Sequence, residues 1–352
     1  CYLPAGTRKI RVKIKALHII DSINDFIIER AELRLYPDFP PPPPEITLEP
    51  WLQDARPDAM TILWETNTNA YSNYVEWGKN NVNERRTKPE TSDLPPNDPS
   101  IKKYVHKAIL QPLEPEMEYA YRIRFGDKET QQYSFKTAPR KESPFTIAWI
   151  SDPASYTSVF KQILPNIPFH KPDLLVCVGR IGRGAEEWHY FWFAPMREKN
   201  LLQTIPTIYS GDCCYAWGRI WWSYSAFPDN YEWYAFSYGN SRFILLDSNY
   251  KNLENNMVYP KEVVCGQDEW LKRQLQSQEW REAAFRIVVC HQPPFSDFRR
   301  DDQFFDGNSR VREEWVPLFE KYGVDMVISG HASPYQRGTR NGVIYTTIGG
   351  AG

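Results

Sequence analysis

The chain has 352 residues, with 42 basic and 44 acidic side chains and a formal charge of −2. That balance makes no field to recruit nucleic acid or an anionic membrane surface, and the length exceeds one ordinary hydrophobic core, so two or more domains are expected. Aromatic residues reach 15%, with 13 Trp and 29 Pro, as in β-rich secreted proteins where Trp and Tyr cover sheet faces and Pro stiffens connections.

Residues 1–37 alternate with period two. Lys9, Arg11 and Lys13 oppose Ile10, Val12 and Ile14, and later Glu32 and Arg34 oppose Leu33 and Leu35, which predicts two strands. Two strands alone bury too little apolar surface to stand, so 1–37 read as the terminal strands of a partial β-sandwich. Cys1 reads either as a lipid-anchoring cysteine or as an arbitrary start of the numbering. Residues 38–44 contain Pro40 to Pro44, a polyproline II spacer and a domain boundary.

From 45 to 140, short alternating runs lie between turn-rich polar stretches: Thr61 to Trp64, Tyr74 to Trp77, Tyr104 to Leu110, Tyr119 to Phe125 and Tyr133 to Thr137. They predict a seven-stranded sandwich. Leu113, Pro115 and Tyr119 have the spacing of a tyrosine corner, and with Trp64 they resemble a fibronectin type III domain, whose role is spacing and docking.

Beyond Pro144, apolar runs alternate with amphipathic stretches, the texture of an α/β domain over 141–352. Strands are predicted at Thr146 to Ile150, Leu174 to Val178, Thr207 to Ser210, Arg242 to Leu246, Ile287 to Cys290, Met326 to Ile328 and Val343 to Thr346. Helices are predicted at Ser158 to Leu164, Gln267 to Gln276 and Arg310 to Tyr322. Cys177 and Cys290 fall inside strands as small hydrophobes, and the six cysteines contain no CxxC pair. No apolar run approaches the roughly 20 residues of a membrane span.

Five of these strands end in short polar turns: Ser151-Asp152-Pro153-Ala154, Gly179-Arg180-Ile181-Gly182-Arg183, Ser210-Gly211-Asp212-Cys213-Cys214, Cys290-His291-Gln292-Pro293 and Ser329-Gly330-His331-Ala332-Ser333. In an α/β sheet such carboxyl ends converge on the binding crevice. Their order and spacing resemble the calcineurin-like metallophosphoesterases, which in purple acid phosphatases read D-x-G, G-D-x-x-Y, G-N-H-E, a lone H and G-H-x-H. The texts WHYFWFAPMREKNLLQTIP at 188–206, YGNSRFILLDS at 238–248 and GQDEWL at 266–271 are similar to that family as well. The resemblance spans 45–352 and implies a β-sandwich followed by a metallophosphoesterase αβ sandwich, two central mixed sheets flanked by helices.

The resemblance also implies a set of ligand positions, and several are substituted. The bridging aspartate of G-D-x-x-Y stands as Arg180 and its tyrosine as Arg183; the asparagine and histidine of G-N-H-E stand as Asp212 and Cys213; the last histidine of G-H-x-H stands as Ser333. Asp152, His291 and His331 match. Two cations held close need an anionic bridge, and a guanidinium is always charged and has no lone pair to donate. One site keeps Asp152 alone; the other keeps Asp212, His291 and His331, a set that suits a single Fe, Zn or Mn ion.

Three readings follow. In the first the chain is a pseudophosphatase without cofactor, Arg180 neutralising Asp152 and Asp212 in place of metal, its role binding or structural. In the second it is a residual one-metal phosphoric ester hydrolase. In the third it is a receptor gripping a phosphate ester or other anion with Arg180 and Arg183. The expected setting is extracellular, periplasmic or at the cell surface, with surface proteins or further copies of the chain as partners. His18, His106, His170 and His189 read as ordinary packed or surface histidines. The aromatic residues Trp217, Trp221, Trp222, Tyr224, Tyr231, Trp233 and Tyr234 read as a sugar platform, an interface or a self-packed loop. Asp297 to Asp306 read as a solvated lid loop.

Overall fold

The computed structural model describes residues 10–19, 26–35, 43–69, 71–94, 103–155, 157–182, 184–210, 223–226, 233–249, 261–300 and 303–349. The chain divides into two compact units, Cys1–Pro43 and Pro44–Gly352. In the first, β1 (Ile10–Ile19) and β2 (Phe26–Leu35) form an antiparallel hairpin. Its register pairs Ile10 with Leu35 and shifts between Ile14 and Leu17, so the strands run further than the alternating residues alone indicate.

The second unit opens with a β-sandwich. Its strands are β3 (Ile46–Gln53), β4 (Met60–Thr66), β5 (Asn73–Gly78), β6 (Arg85–Thr87), β7 (Glu90–Leu94), β8 (Lys103–Leu110), β9 (Glu118–Phe125), β10 (Lys128–Glu129) and β11 (Tyr133–Lys136). One sheet has the order β3-β4-β8-β7; the other is β10-β9-β5-β6 with β11 beside β9. The expected seven strands become nine among the described residues. The five runs named along the sequence are β4, β5, β8, β9 and β11, so β3, β6, β7 and β10 are additional; β6 and β10 have three and two residues, too short for a period-two pattern to declare them. On β9, Tyr119, Tyr121, Ile123 and Phe125 alternate inward. The Tyr119 hydroxyl accepts the Glu114 N–H at 2.9 Å, closing the tyrosine corner.

β4 departs from alternation, being buried at all seven positions. Met60, Ile62 and Trp64 pack into the sandwich core, while Leu63 on the other face, with Trp51, packs against Leu175, Cys177 and Phe193 of the following domain. With both faces covered the strand has no side left to solvent, and even Thr61 and Glu65 are buried, so β4 marks where sandwich and α/β domain join.

The α/β domain contains β12 (Ile147–Ser151), β13 (Leu174–Val178), β14 (Thr207–Tyr209), β15 (Tyr234–Tyr238), β16 (Ser241–Leu246), β17 (Phe285–Cys290), β18 (Phe298–Arg300), β19 (Gln303–Phe305), β20 (Met326–Ser329), β21 (Tyr335–Arg340) and β22 (Val343–Ile348). β12-β13-β14 is a parallel sheet. The order β15-β16-β17-β20-β22-β21 is a mixed sheet, parallel through its centre with antiparallel edges. Leu174, Val176 and Val178 face Phe243, Leu245, Val289 and Ile328 between the sheets. The alternate residues Leu175 and Cys177 face helix residues such as Phe160, Trp188 and Trp192, and Ile244, Leu246, Val288 and Cys290 face Leu271, Trp280 and Phe319. Period-two strands buried on both faces thus build helix, sheet, sheet and helix layers.

Helices occupy Thr157–Ile163, Lys261–Gln274 and Val316–Lys321, the last entered through a π-helical turn at Val311–Trp315. These lie close to the three predicted helices. Asp297 to Asp306 differ from expectation: they include the antiparallel pair β18 and β19, with Phe298 opposite Phe305, rather than an open loop. Among the described residues no helix is long and apolar enough to cross a membrane.

Candidate functional site

The carboxyl ends of β12, β13, β17 and β20 meet with very little space between them. Gly179, directly after β13, has φ +102°, and a Cβ built there would lie 2.0 Å from His291 Nδ1. Only glycine combines that conformation with so close an approach. A Cβ on Gly330 would come within 2.7 Å of the Val178 carbonyl and 2.9 Å of Asp152 Oδ2. The ends are tied together: Gly330 N–H donates to the His291 carbonyl at 2.9 Å, Gly179 N–H donates to Ser210 Oγ at 3.0 Å, and Ser151 Oγ donates to the Ile348 carbonyl at 2.7 Å.

Within this frame Asp152, His291 and His331 come together. Asp152 Oδ2 accepts the His331 main-chain N–H at 2.9 Å, and Oδ1 accepts that of Arg180 at 3.4 Å. His291 Nε2 lies 3.6 Å from Asp152 Oδ1 and 3.2 Å from His331 Nδ1. The two imidazoles meet edge to face with centroids 5.0 Å apart, and the Phe305 ring lies 5.3 Å from that of His331. Both Asp152 and His331 hold positive φ, 51° and 64°, a strain of the kind that clusters at functional sites. Desolvation of its ring, in a residue that is otherwise exposed, and then the neighbouring His291 lower the His331 pKa to about 4; Arg180 acts the same way and Asp152 opposes it. His331 is therefore neutral at pH 7.

Arg180 is half-buried beside this cluster; its expected pairing with Asp212 falls outside the described residues. Its main-chain amide meets Asp152, while no ion pair joins its guanidinium to a carboxylate among the described residues. The Asp152 charge is met by two backbone N–H groups and an imidazole instead, which a buried carboxylate accepts as well as a cation. Arg180 contributes its charge at the distance of His331. Ser333 is exposed. Arg183, Asp212 and Cys213 lie outside the described residues, as do Trp217, Trp221, Trp222 and Tyr231.

The donors of the described cluster do not close a metal site. The separations of 3.2 and 3.6 Å bracket the spacing of roughly 3.3 Å between donors on a tetrahedral ion with bonds of about 2.0–2.1 Å. The third edge is missing, because Asp152 meets His331 through the main chain rather than the ring. Among the described residues no three His, Cys, Asp or Glu side chains are grouped to hold an ion. Arg180, which follows β13 at the edge of this cluster, carries a permanent positive charge and no lone pair for an ion.

A second buried polar cluster lies where the sandwich meets the α/β domain, and nothing in the sequence announces it. Glu65 on β4 is fully buried. It accepts from the Tyr224 hydroxyl at 2.5 Å, the Thr47 hydroxyl at 2.6 Å and Lys103 Nζ at 3.2 Å, with His189 Nε2 at 3.3 Å. Burial pushes the Glu65 carboxyl up, but the hydrogen bond and charge of His189, then Lys103 and Thr47, outweigh it and hold the pKa at about 2. His189, expected to be an ordinary histidine, is part of this junction. His106 is packed, between the hydroxyls of Thr66 at 2.7 Å and Thr91 at 2.9 Å. Tyr224, Trp233 and Tyr234 are buried, and Tyr224 packs against Trp51, Trp188 and Phe193.

Residues 43–137 match the model of the purple acid phosphatase N-terminal domain, and residues 145–334 match that of the calcineurin-like phosphoesterases. Purple acid phosphatase 23 of Arabidopsis thaliana is 25% identical over 300 residues, covering 70% of this chain and 62% of its own. Purple acid phosphatase 1 of Ipomoea batatas is 20% identical over 302 residues, covering 70% of this chain and 54% of its own. The chain thus spans less than two thirds of either relative. The solved structure of PhoD covers 87% of this chain and 77% of its own at a TM-score of 0.61 and 14% identity, a likeness of fold.

Proposed function

This chain belongs to the calcineurin-like phosphoesterase family, with a purple acid phosphatase-type N-terminal domain ahead of its α/β domain, and we propose that it is a pseudophosphatase. One observation carries this reading. The loop after β13, which brings the family's bridging carboxylate between two cations, here brings Arg180, and the neighbouring Asp152 spends both oxygens on main-chain N–H groups. A carboxylate so engaged, beside a guanidinium, favours a closed polar core over a pair of ions. The role is then binding or structural, in an extracellular, periplasmic or cell-surface assembly, with surface proteins or further copies of the chain as partners. The β-sandwich and the proline-rich 38–44 segment suit such a spacer.

A second reading rests on the 3.2 Å approach of His331 Nδ1 to His291 Nε2. Two imidazoles so placed, with Asp212 as the third ligand that the sequence offers, suit one Fe, Zn or Mn ion. Such an ion supplies Lewis acidity and a more acidic bound water. In that case His291 and His331 bind and orient, and the half-buried Arg180 supplies positive charge for a phosphate ester.

One experiment separates the two. The purified chain is analysed for Fe, Zn and Mn and assayed with 4-nitrophenyl phosphate at acidic and neutral pH, before and after metal is supplied. The pseudophosphatase reading expects no stoichiometric metal and no turnover. Stoichiometric metal with turnover abolished by His291→Ala overturns it.

A further inference from the structure

β21 is an edge of the six-stranded sheet, and Gln336, Gly338 and Arg340 pair with Thr347, Tyr345 and Val343 of β22. Directly paired residues share a sheet face. On that face the edge strand lacks a side chain at Gly338, where an added Cβ would meet no atom within 4 Å. The gap opens into a cavity of about 530 Å³ whose far wall is the segment carrying Phe295 and Ser296. This volume falls among those of small-molecule sites, about 300–1,000 Å³.

The lining has apolar walls and a few convergent polar groups. The rings of Phe295 and Tyr345 meet edge to face at 4.9 Å, and the Arg340 guanidinium lies 5.2 Å from the Phe295 ring centre. Gln336 is fixed as wall by accepting from the Ser296 hydroxyl at 3.0 Å and the Asp297 N–H at 3.3 Å. Arg340 pairs through Nε with Glu320 at 3.4 Å, which leaves its other N–H donors for a ligand. Tyr345 is 7% exposed, and its buried hydroxyl has no hydrogen-bond partner. A buried phenol ordinarily finds one. Burial raises its pKa, so it stays a donor at neutral pH.

We propose that this cavity is a binding site for a small flat aromatic anion, its ring filling the gap over Gly338 against Phe295, a polar atom on the Tyr345 hydroxyl and its negative group at Arg340. The site is independent of whether the crevice at Asp152 and His291 holds metal. Aromatic walls favour a flat ring in offset or edge contact, and the guanidinium over Phe295 sets the end at which the negative charge sits.

The test is calorimetric titration of the full chain with naphthalene-2-carboxylate, a flat aromatic anion with no ester to hydrolyse. The expected result is saturable one-to-one binding that inorganic phosphate does not displace. Gly338→Leu, which fills the gap at a position with open space, should abolish it while leaving Tm near that of the wild type. Tyr345→Phe and Arg340→Gln should each weaken it about tenfold. No saturable binding, or binding displaced by phosphate, overturns the proposal. So does Tyr345→Phe binding as tightly as the wild type, which would mean that the hydroxyl takes no part in the site.

Discussion

Replacing Glu65 by Gln should remove a defined part of this protein's sensitivity to acid. The folded carboxyl titrates near 2 against 4.5 when free, so its contribution is complete above pH 4.5 and is lost as pH falls toward 2. At about 1.4 kcal/mol per pH unit that interval corresponds to about 3 kcal/mol. Lys103 and His189 are 24% and 25% exposed, so water screens part of the attraction, and about 2–3 kcal/mol is the expected effect. At pH 5.5 Glu65→Gln should be the less stable protein, because Lys103 and His189 lose their buried counter-charge. Urea titrations of both proteins, followed by tryptophan fluorescence at intervals from pH 5.5 to 2.5, measure the difference. It should shrink as pH falls. Curves that stay parallel throughout would refute the assignment of Glu65 as the ionised centre of the junction.

Gly179→Ala should lower stability by at least about 1–3 kcal/mol, the cost of forcing a side chain into φ +102°, and should push the His291 ring from its place beside Asp152. An unchanged urea midpoint would rule out the close packing of these strand ends. Tyr119→Phe leaves the Glu114 N–H without its acceptor and should cost about 1 kcal/mol; a loss too small to measure would show that the tyrosine corner adds nothing to the sandwich.

Much of the fold was legible along the chain because its information is local. Leu174 to Val178 and Ile287 to Cys290 are unbroken apolar runs, and each is a strand buried on both faces. Leu113, Pro115 and Tyr119 carry the tyrosine corner in their spacing. The short edges β6 and β10 escaped, since three or two residues carry no period. The pair β18 and β19 escaped because the run DFRRDDQFFD is charged, and only the Phe298–Phe305 register makes it a hairpin that reaches His331. The junction of Glu65, Lys103, His189 and Tyr224 was invisible: Glu65 and His189 stand 124 residues apart, and neither has a distinctive neighbour in sequence.

At the candidate site the division is sharp. The sequence by itself determined which residue types stand at the ends of the strands, the cationic Arg180 after β13 among them; charge and lone pairs are properties of the side chain and need no coordinates. What only the tertiary structure decided is which atoms meet. Asp152 could be expected to pair with the Arg180 guanidinium, yet the turn after β13 presents the Arg180 amide, and the turn after β20 presents that of His331. The reason is geometric. Gly179 and Gly330 let the strand ends approach until main-chain N–H groups reach the carboxylate, and contacts between residues 28 and 179 positions apart arise only when the sheets pack.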